Sequence, residues 1–131
     1  MGRLRPPKNT GKWRVANPDP VINYDNEPPV FSFSYLQKSY GVKDCSQTQK
    51  AHLVDTLSDM GCRTWKDLKH LDRHKGGYEK IEELRHKLPE KFKEATPIAF
   101  RFSGMAPMIG VRVDEKFYLI WIDANMVLYK H

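Results

Sequence analysis

A chain of 131 residues that is 40% hydrophobic and 29% charged is long enough to bury a core of its own and too apolar to be disordered throughout. Its formal charge of +6 favours an acidic partner, nucleic acid first, although a surplus of this size is also an ordinary solubility device. Cys45 and Cys62 match neither a zinc pair nor a redox CxxC, and no apolar run approaches the roughly 20 residues of a bilayer span. The basic N-terminus lacks the apolar segment of a secretory signal, so a reducing, cytoplasmic setting without a membrane partner is expected.

Residues 1–29 hold Pro6, Pro7, Pro18, Pro20, Pro28 and Pro29 together with Arg3, Arg5, Lys8, Lys12 and Arg14. Prolines at this density remove backbone donors and favour extended chain, so this part reads as a basic arm, lying over the domain or along nucleic acid. A single domain is expected over 30–131. Residues 30–35 (VFSFSY) alternate cleanly and read as a half-buried strand with Phe31, Phe33 and Tyr35 inward.

Ser46 and Gln49 have the spacing of a capping box and open a helix. Its apolar stripe is Leu53, Val54, Leu57 and Met60, and Gly61 supplies the stop. Thr64 and Asp67 signal a second helix with Trp65 and Leu68 inward. Gly76 and Gly77 interrupt it. A third helical stretch is predicted over 78–87, with Tyr78, Ile81, Leu84 and Leu88 on one side and Pro89 near its end.

From Ile98 onward the chain reads as an antiparallel meander of three or four strands. Side chains alternate faces along a strand, so register decides which residues meet. A turn at 114–115 that sets Val113 opposite Phe117 puts Arg112 across from Tyr118. A turn near 124–125 then sets Tyr118 across from His131 and Ile120 across from Tyr129. In that register Phe100, Phe102, Val111, Leu119, Trp121 and Leu128 share one face. Arg101, Arg112, Tyr118, Tyr129 and His131 share the other, with Ile120 and Ile122 beside them. The expected fold class is α+β: an antiparallel sheet, made of the N-terminal strand and the C-terminal meander, packed against two or three helices.

Strand, two or three helices, then a meander is an order that resembles the RelE/ParE-like toxin superfamily, over roughly residue 31 to the end. The closing FYLIWID and LYKH also resemble small phage- and plasmid-borne proteins. The toxin resemblance implies an RNA-cleaving protein in which strand arginines, here Arg101 and Arg112, hold the scissile phosphate. A C-terminal tyrosine or histidine, here Tyr129 or His131, then assists proton transfer, and a small acidic antitoxin is the implied protein partner.

The chemistry asks for a base at the 2′-hydroxyl, an acid at the leaving oxygen and cationic donors for the phosphate. Guanidinium suits the last role because it binds phosphate bidentately. For the base the candidates are Glu79 and His74. The segment Arg73, His74, Lys75, then two glycines and Tyr78, reads either as an RNA-contacting loop or as a charged turn between helices. His70 and His74 are spaced like metal ligands, but no third ligand accompanies them, and no phosphate loop, dinucleotide fingerprint or HExxH is present. No metal or cofactor is therefore expected. Two further classes fit the same residues: a non-enzymatic nucleic-acid-binding module, and a phage or plasmid adaptor or inhibitor using the arm and the Ile120/Ile122 face.

Overall fold

The computed structural model describes residues 22–71 and 77–129. Within them the chain folds as α+β: a five-stranded sheet with two α-helices on one side. The strands are β1 (Val30–Ser32), β2 (Glu79–Lys80), β3 (Ile98–Ser103), β4 (Ala106–Val113) and β5 (Lys116–Ile122). Their spatial order is β1-β5-β4-β3-β2. The sheet is mixed rather than purely antiparallel, because β1 runs parallel to β5, with Val30 beside Lys116 and Ser32 beside Tyr118. The predicted strand over 30–35 stops at Ser32, and Phe33 is exposed. No described helix is long and apolar enough to cross a membrane.

The two predicted helices form, and their capping groups are in place. Helix α1 (Gln47–Gly61) opens on a reciprocal pair: Gln49 N–H donates to Ser46 Oγ at 3.1 Å, and Ser46 N–H donates to Gln49 Oε1 at 2.9 Å. Leu53 and Met60 are buried and Leu57 packs at the core margin, but Val54 faces solvent, so the buried stripe is narrower than the sequence suggests. Helix α2 (Trp65–Lys69) is capped by Thr64 Oγ1, which accepts Asp67 N–H at 3.2 Å, and buries Trp65 and Leu68 completely.

Of the proline-rich arm, residues 22–29 are described, and they dock. A 3-10 turn over Tyr24–Asn26 is held by Asp25, which pairs with Lys69 at 2.7 Å and Arg112 at 2.8 Å. The Glu27 carbonyl accepts Trp65 N–H at 3.0 Å. The rest of the arm lies outside the described residues.

The third predicted helix does not form. Residues 79–80 add β2 to the sheet edge instead, with Ile81 N–H donating to the Pro97 carbonyl and Arg85 N–H to the Leu128 carbonyl, both at 2.9 Å. Backbone partners on neighbouring segments replace the i to i−4 bonds of a helix. The i, i+3 apolar spacing has another cause: Tyr78 packs into the helix-side core while Ile81, Leu84 and Leu88 cover the opposite face. Tertiary pairing overrides local propensity here.

Both faces of the sheet are covered. On the helix side, Ile98, Phe100, Phe102, Met108, Phe117, Leu119 and Ile122 meet Leu53, Met60, Trp65 and Leu68. On the other, Ala99, Ile109, Val111, Ile120 and Trp121 lie under Ile81, Phe92, Leu128 and Tyr129, with Tyr35 and Tyr40 packed alongside. The loop at 114–115 is a two-residue turn that pairs Val113 with Lys116, with Asp114 at φ 59°. Arg112 therefore faces Phe117, and Tyr118 faces Val111, one step away from the expected register.

A β-bulge then interrupts β5. Ile109 pairs with Trp121 while the next residue, Gly110, pairs with Leu119, so Ile120 and Trp121 both turn to the side away from the helices. The bulge brings two strands very close: a Cβ on Gly110 would stand 2.3 Å from the Tyr118 carbonyl oxygen. After β5 there is no further strand among the described residues. Residues 123–129 turn back over the sheet, Met126 at φ 58°, held by the buried Asp123 carboxylate.

Candidate active site

The expected single face of five residues is divided by the true register. Arg112 stands on the helix side with Phe117, its guanidinium carbon 4.4 Å from the Trp65 ring centre. It is bound to Asp25 at 2.8 Å, and its Nε donates to the Asp114 carbonyl at 2.7 Å. These contacts tie the 3-10 turn, α2 and the β4–β5 turn together, which is a structural task. Arg101, Tyr118 and Tyr129 belong to the opposite side of the sheet.

Tyr118 is removed from the other two in a different way. Its ring packs on Phe92 at 5.1 Å and Tyr35 at 5.6 Å, near the β1 end of the sheet. The Lys91 ammonium lies over this trio, 5.2 Å from the Tyr35 centroid and 5.8 Å from that of Tyr118. Because β5 is two strands from β3, about 10 Å of sheet separates Tyr118 from Arg101. Tyr78 is on the helix side, its ring 5.9 Å from Phe100, so it too is part of the core. Arg73, His74, Lys75 and His131 lie outside the described residues.

Glu79, Arg101 and Tyr129, by contrast, meet. Glu79 enters on edge strand β2 opposite Ala99, and Arg101 follows Ala99 by two residues on β3, which puts both side chains on one face. Tyr129 arrives from the C-terminal turn. Arg101 is only 7% exposed; its Nη1 donates to the Met105 carbonyl at 2.8 Å, and its Nη2 lies 3.7 Å from Glu79 Oε1. That last separation exceeds the 2.7–2.9 Å of a tight charge-assisted bond, so it is an ion pair without a short hydrogen bond between those two atoms.

Burial pushes the Tyr129 phenol above its ordinary value of 10.0. The Glu79 charge adds to that rise, and Arg101 beside the ring opposes it. A depression of about 330 Å³ is lined by Glu79 to Glu83 and by Tyr129, while Arg101 lines a separate one of about 260 Å³ with Asp55, Thr56 and Asp59 of α1. The arrangement thus supplies a carboxylate, a buried cation and a phenol that stays protonated at neutral pH, beside a cavity.

A second aromatic group has no signal in the sequence. Tyr40 Oη and His86 Nε2 are 3.1 Å apart, although 46 residues separate them in the chain. His86 falls within the helix predicted over 78–87, and that stretch, which forms no helix, reaches Tyr40 instead. Neither a family model, nor a curated protein, nor a solved structure matches the chain.

Proposed function

We propose that the chain cleaves RNA without a metal ion, as a RelE/ParE-like toxin or a relative of one, using Glu79, Arg101 and Tyr129. The observation that carries this reading is the meeting of those three side chains, from β2, β3 and the C-terminal turn, where Glu79 and Tyr129 line an open depression. Glu79 accepts the proton of the 2′-hydroxyl, whose oxygen attacks the adjacent phosphorus. The Arg101 guanidinium offers its charge to the phosphate oxygens as charge builds there. The bond from phosphorus to the 5′-oxygen breaks, and the Tyr129 phenol protonates the departing alkoxide. The products are a 2′,3′-cyclic phosphate and a free 5′-hydroxyl. His131, two residues beyond Tyr129 in the chain, is the alternative acid. Arg112 has no part in this scheme.

The test is incubation of the purified chain with RNA in excess chelator, together with Glu79→Gln, Arg101→Lys and Tyr129→Phe. Cleavage by the wild type and a loss of about 100-fold or more in Glu79→Gln are expected, since one general base contributes that much. RNA left intact at high protein concentration ends the enzymatic reading.

One observation favours a second reading, a protein-binding adaptor: Glu79, Glu82 and Glu83 line the same depression, and carboxylates repel phosphate. Co-purification with a basic protein partner, with no RNA shift at low salt, would select it.

A further inference from the structure

We infer that the Tyr40/His86 pair is a binding subsite for a single RNA nucleotide next to the one being cut, with the base on the His86 ring and a phosphate on Lys38 and Lys87. The inference rests on the reading of the chain as an RNA-cleaving protein. It starts from a groove of about 300 Å³ lined by Gln37, Lys38, Tyr40, His86, Lys87 and Trp121.

His86 is exposed, yet its ring is fixed from two directions. Its Nε2 is 3.1 Å from Tyr40 Oη, and its plane lies 30° from that of Trp121 at 6.5 Å between centroids. Trp121 is at the groove floor only because the β5 bulge turns it there together with Ile120. Tyr40 is half-buried and follows Ser39, which has φ 74°, a conformation that a residue other than glycine adopts at a cost. A strained turn and a bulge therefore both serve to fix the exposed His86 ring, which Tyr40 meets edge-on at 67° and the buried Trp121 backs. Such a ring binds any base through its π-face, and two lysines beside it supply phosphate contacts.

Position ties the groove to the cleavage cluster. A larger depression of about 450 Å³ shares His86 and Lys87 with the groove, and shares Ile81 and Glu82 with the depression beside Tyr129. The hydrogen bond from Arg85 N–H to the Leu128 carbonyl sets the residue before His86 against the residue before Tyr129. A single strand laid along residues 79–88 reaches both places. Cutting at Tyr129 would then be favoured on strands that seat a neighbouring base, of any kind, on the His86 ring.

The test is fluorescence anisotropy of the full chain with a labelled 2′-O-methyl oligoribonucleotide, which has no hydroxyl to be cut and so reads binding alone. His86→Ala should weaken binding about tenfold, the usual scale for losing one base–aromatic stack. His86→Phe, which stacks but cannot bond to Tyr40, should return it to within about threefold of wild type. Lys38→Ala and Lys87→Ala should each lower the salt-dependence slope by about 0.7, as expected for one phosphate contact on a single strand. Thermal melts confirm that each variant is folded. If the wild type binds and His86→Ala binds equally well, the subsite is wrong and the RNA reading stands. If the wild type does not bind at low salt, both fall.

Discussion

The buried carboxylate of Asp123 accepts the backbone N–H of Leu128 at 2.9 Å and that of Val127 at 3.0 Å. Those two bonds decide where the chain points as it leaves the sheet, and hence where Tyr129 stands. Asp123→Ala strands the buried Leu128 donor, and stability should fall by about 1–3 kcal/mol in urea titration. RNA cleavage by the folded fraction should fall with it, because the Tyr129 phenol loses its placement. A variant with full stability and full activity would show that the turn does not depend on this carboxylate.

Gly110 is constrained by backbone rather than by a side chain that could move aside. A methyl group there meets the Tyr118 carbonyl oxygen at 2.3 Å and Phe117 Cζ at 2.9 Å. Gly110→Ala should therefore cost about 1–3 kcal/mol, as overpacking of a tight interior does. Since the bulge aims Trp121, the same substitution should also alter Trp121 fluorescence. An unchanged melting temperature would refute the close approach.

Alkaline titration tests the placement of Tyr129. In the unfolded chain its phenol ionises near 10.0, and in the folded chain burial and Glu79 hold it higher. Between those two values the unfolded chain has lost a proton that the folded chain keeps, so stability falls as pH rises past 10. Tyr129→Phe should lessen that decline. Equal alkaline slopes for the two proteins would mean that the phenol is solvated.

Asp25 acts at the other end of the pH scale. Hydrogen bonds from Lys69 and then from Arg112 hold its carboxyl below the ordinary 3.8. Its contribution is complete above the unfolded value and disappears as pH falls through the lower, folded one. Asp25→Asn should reduce stability at neutral pH by about 1 kcal/mol, the scale of a partly exposed ion-pair network, and the gap should narrow in acid. RNA cleavage should be unaffected, since this network is on the helix side of the sheet.

The two helices could be read from the sequence because their caps are local: Ser46 with Gln49, and Thr64 with Asp67, carry the geometry within one turn of chain. The hairpins were also legible, but their registers were not. A shift of one residue at the 114–115 turn sends Arg112 to the helices, and the bulge at Ile120 reverses the parity of everything after it. Glu79, Arg101 and Tyr129 each carried a candidate role in the sequence, but their meeting did not follow from it, because it depends on β2 pairing with β3, which the helical spacing of 78–88 concealed. The parallel β1–β5 pairing and the Tyr40/His86 contact join distant parts of the chain, and no local pattern announces either one.

That parallel pairing has a consequence for biosynthesis. Val30 finds its neighbour only when Lys116 has been made, and Arg101 meets Tyr129 only once the turn after β5 has formed. Contacts so distant in sequence form slowly and late. The helices and the hairpin of β3 and β4, made of local contacts, thus form before the first strand has a neighbour to pair with.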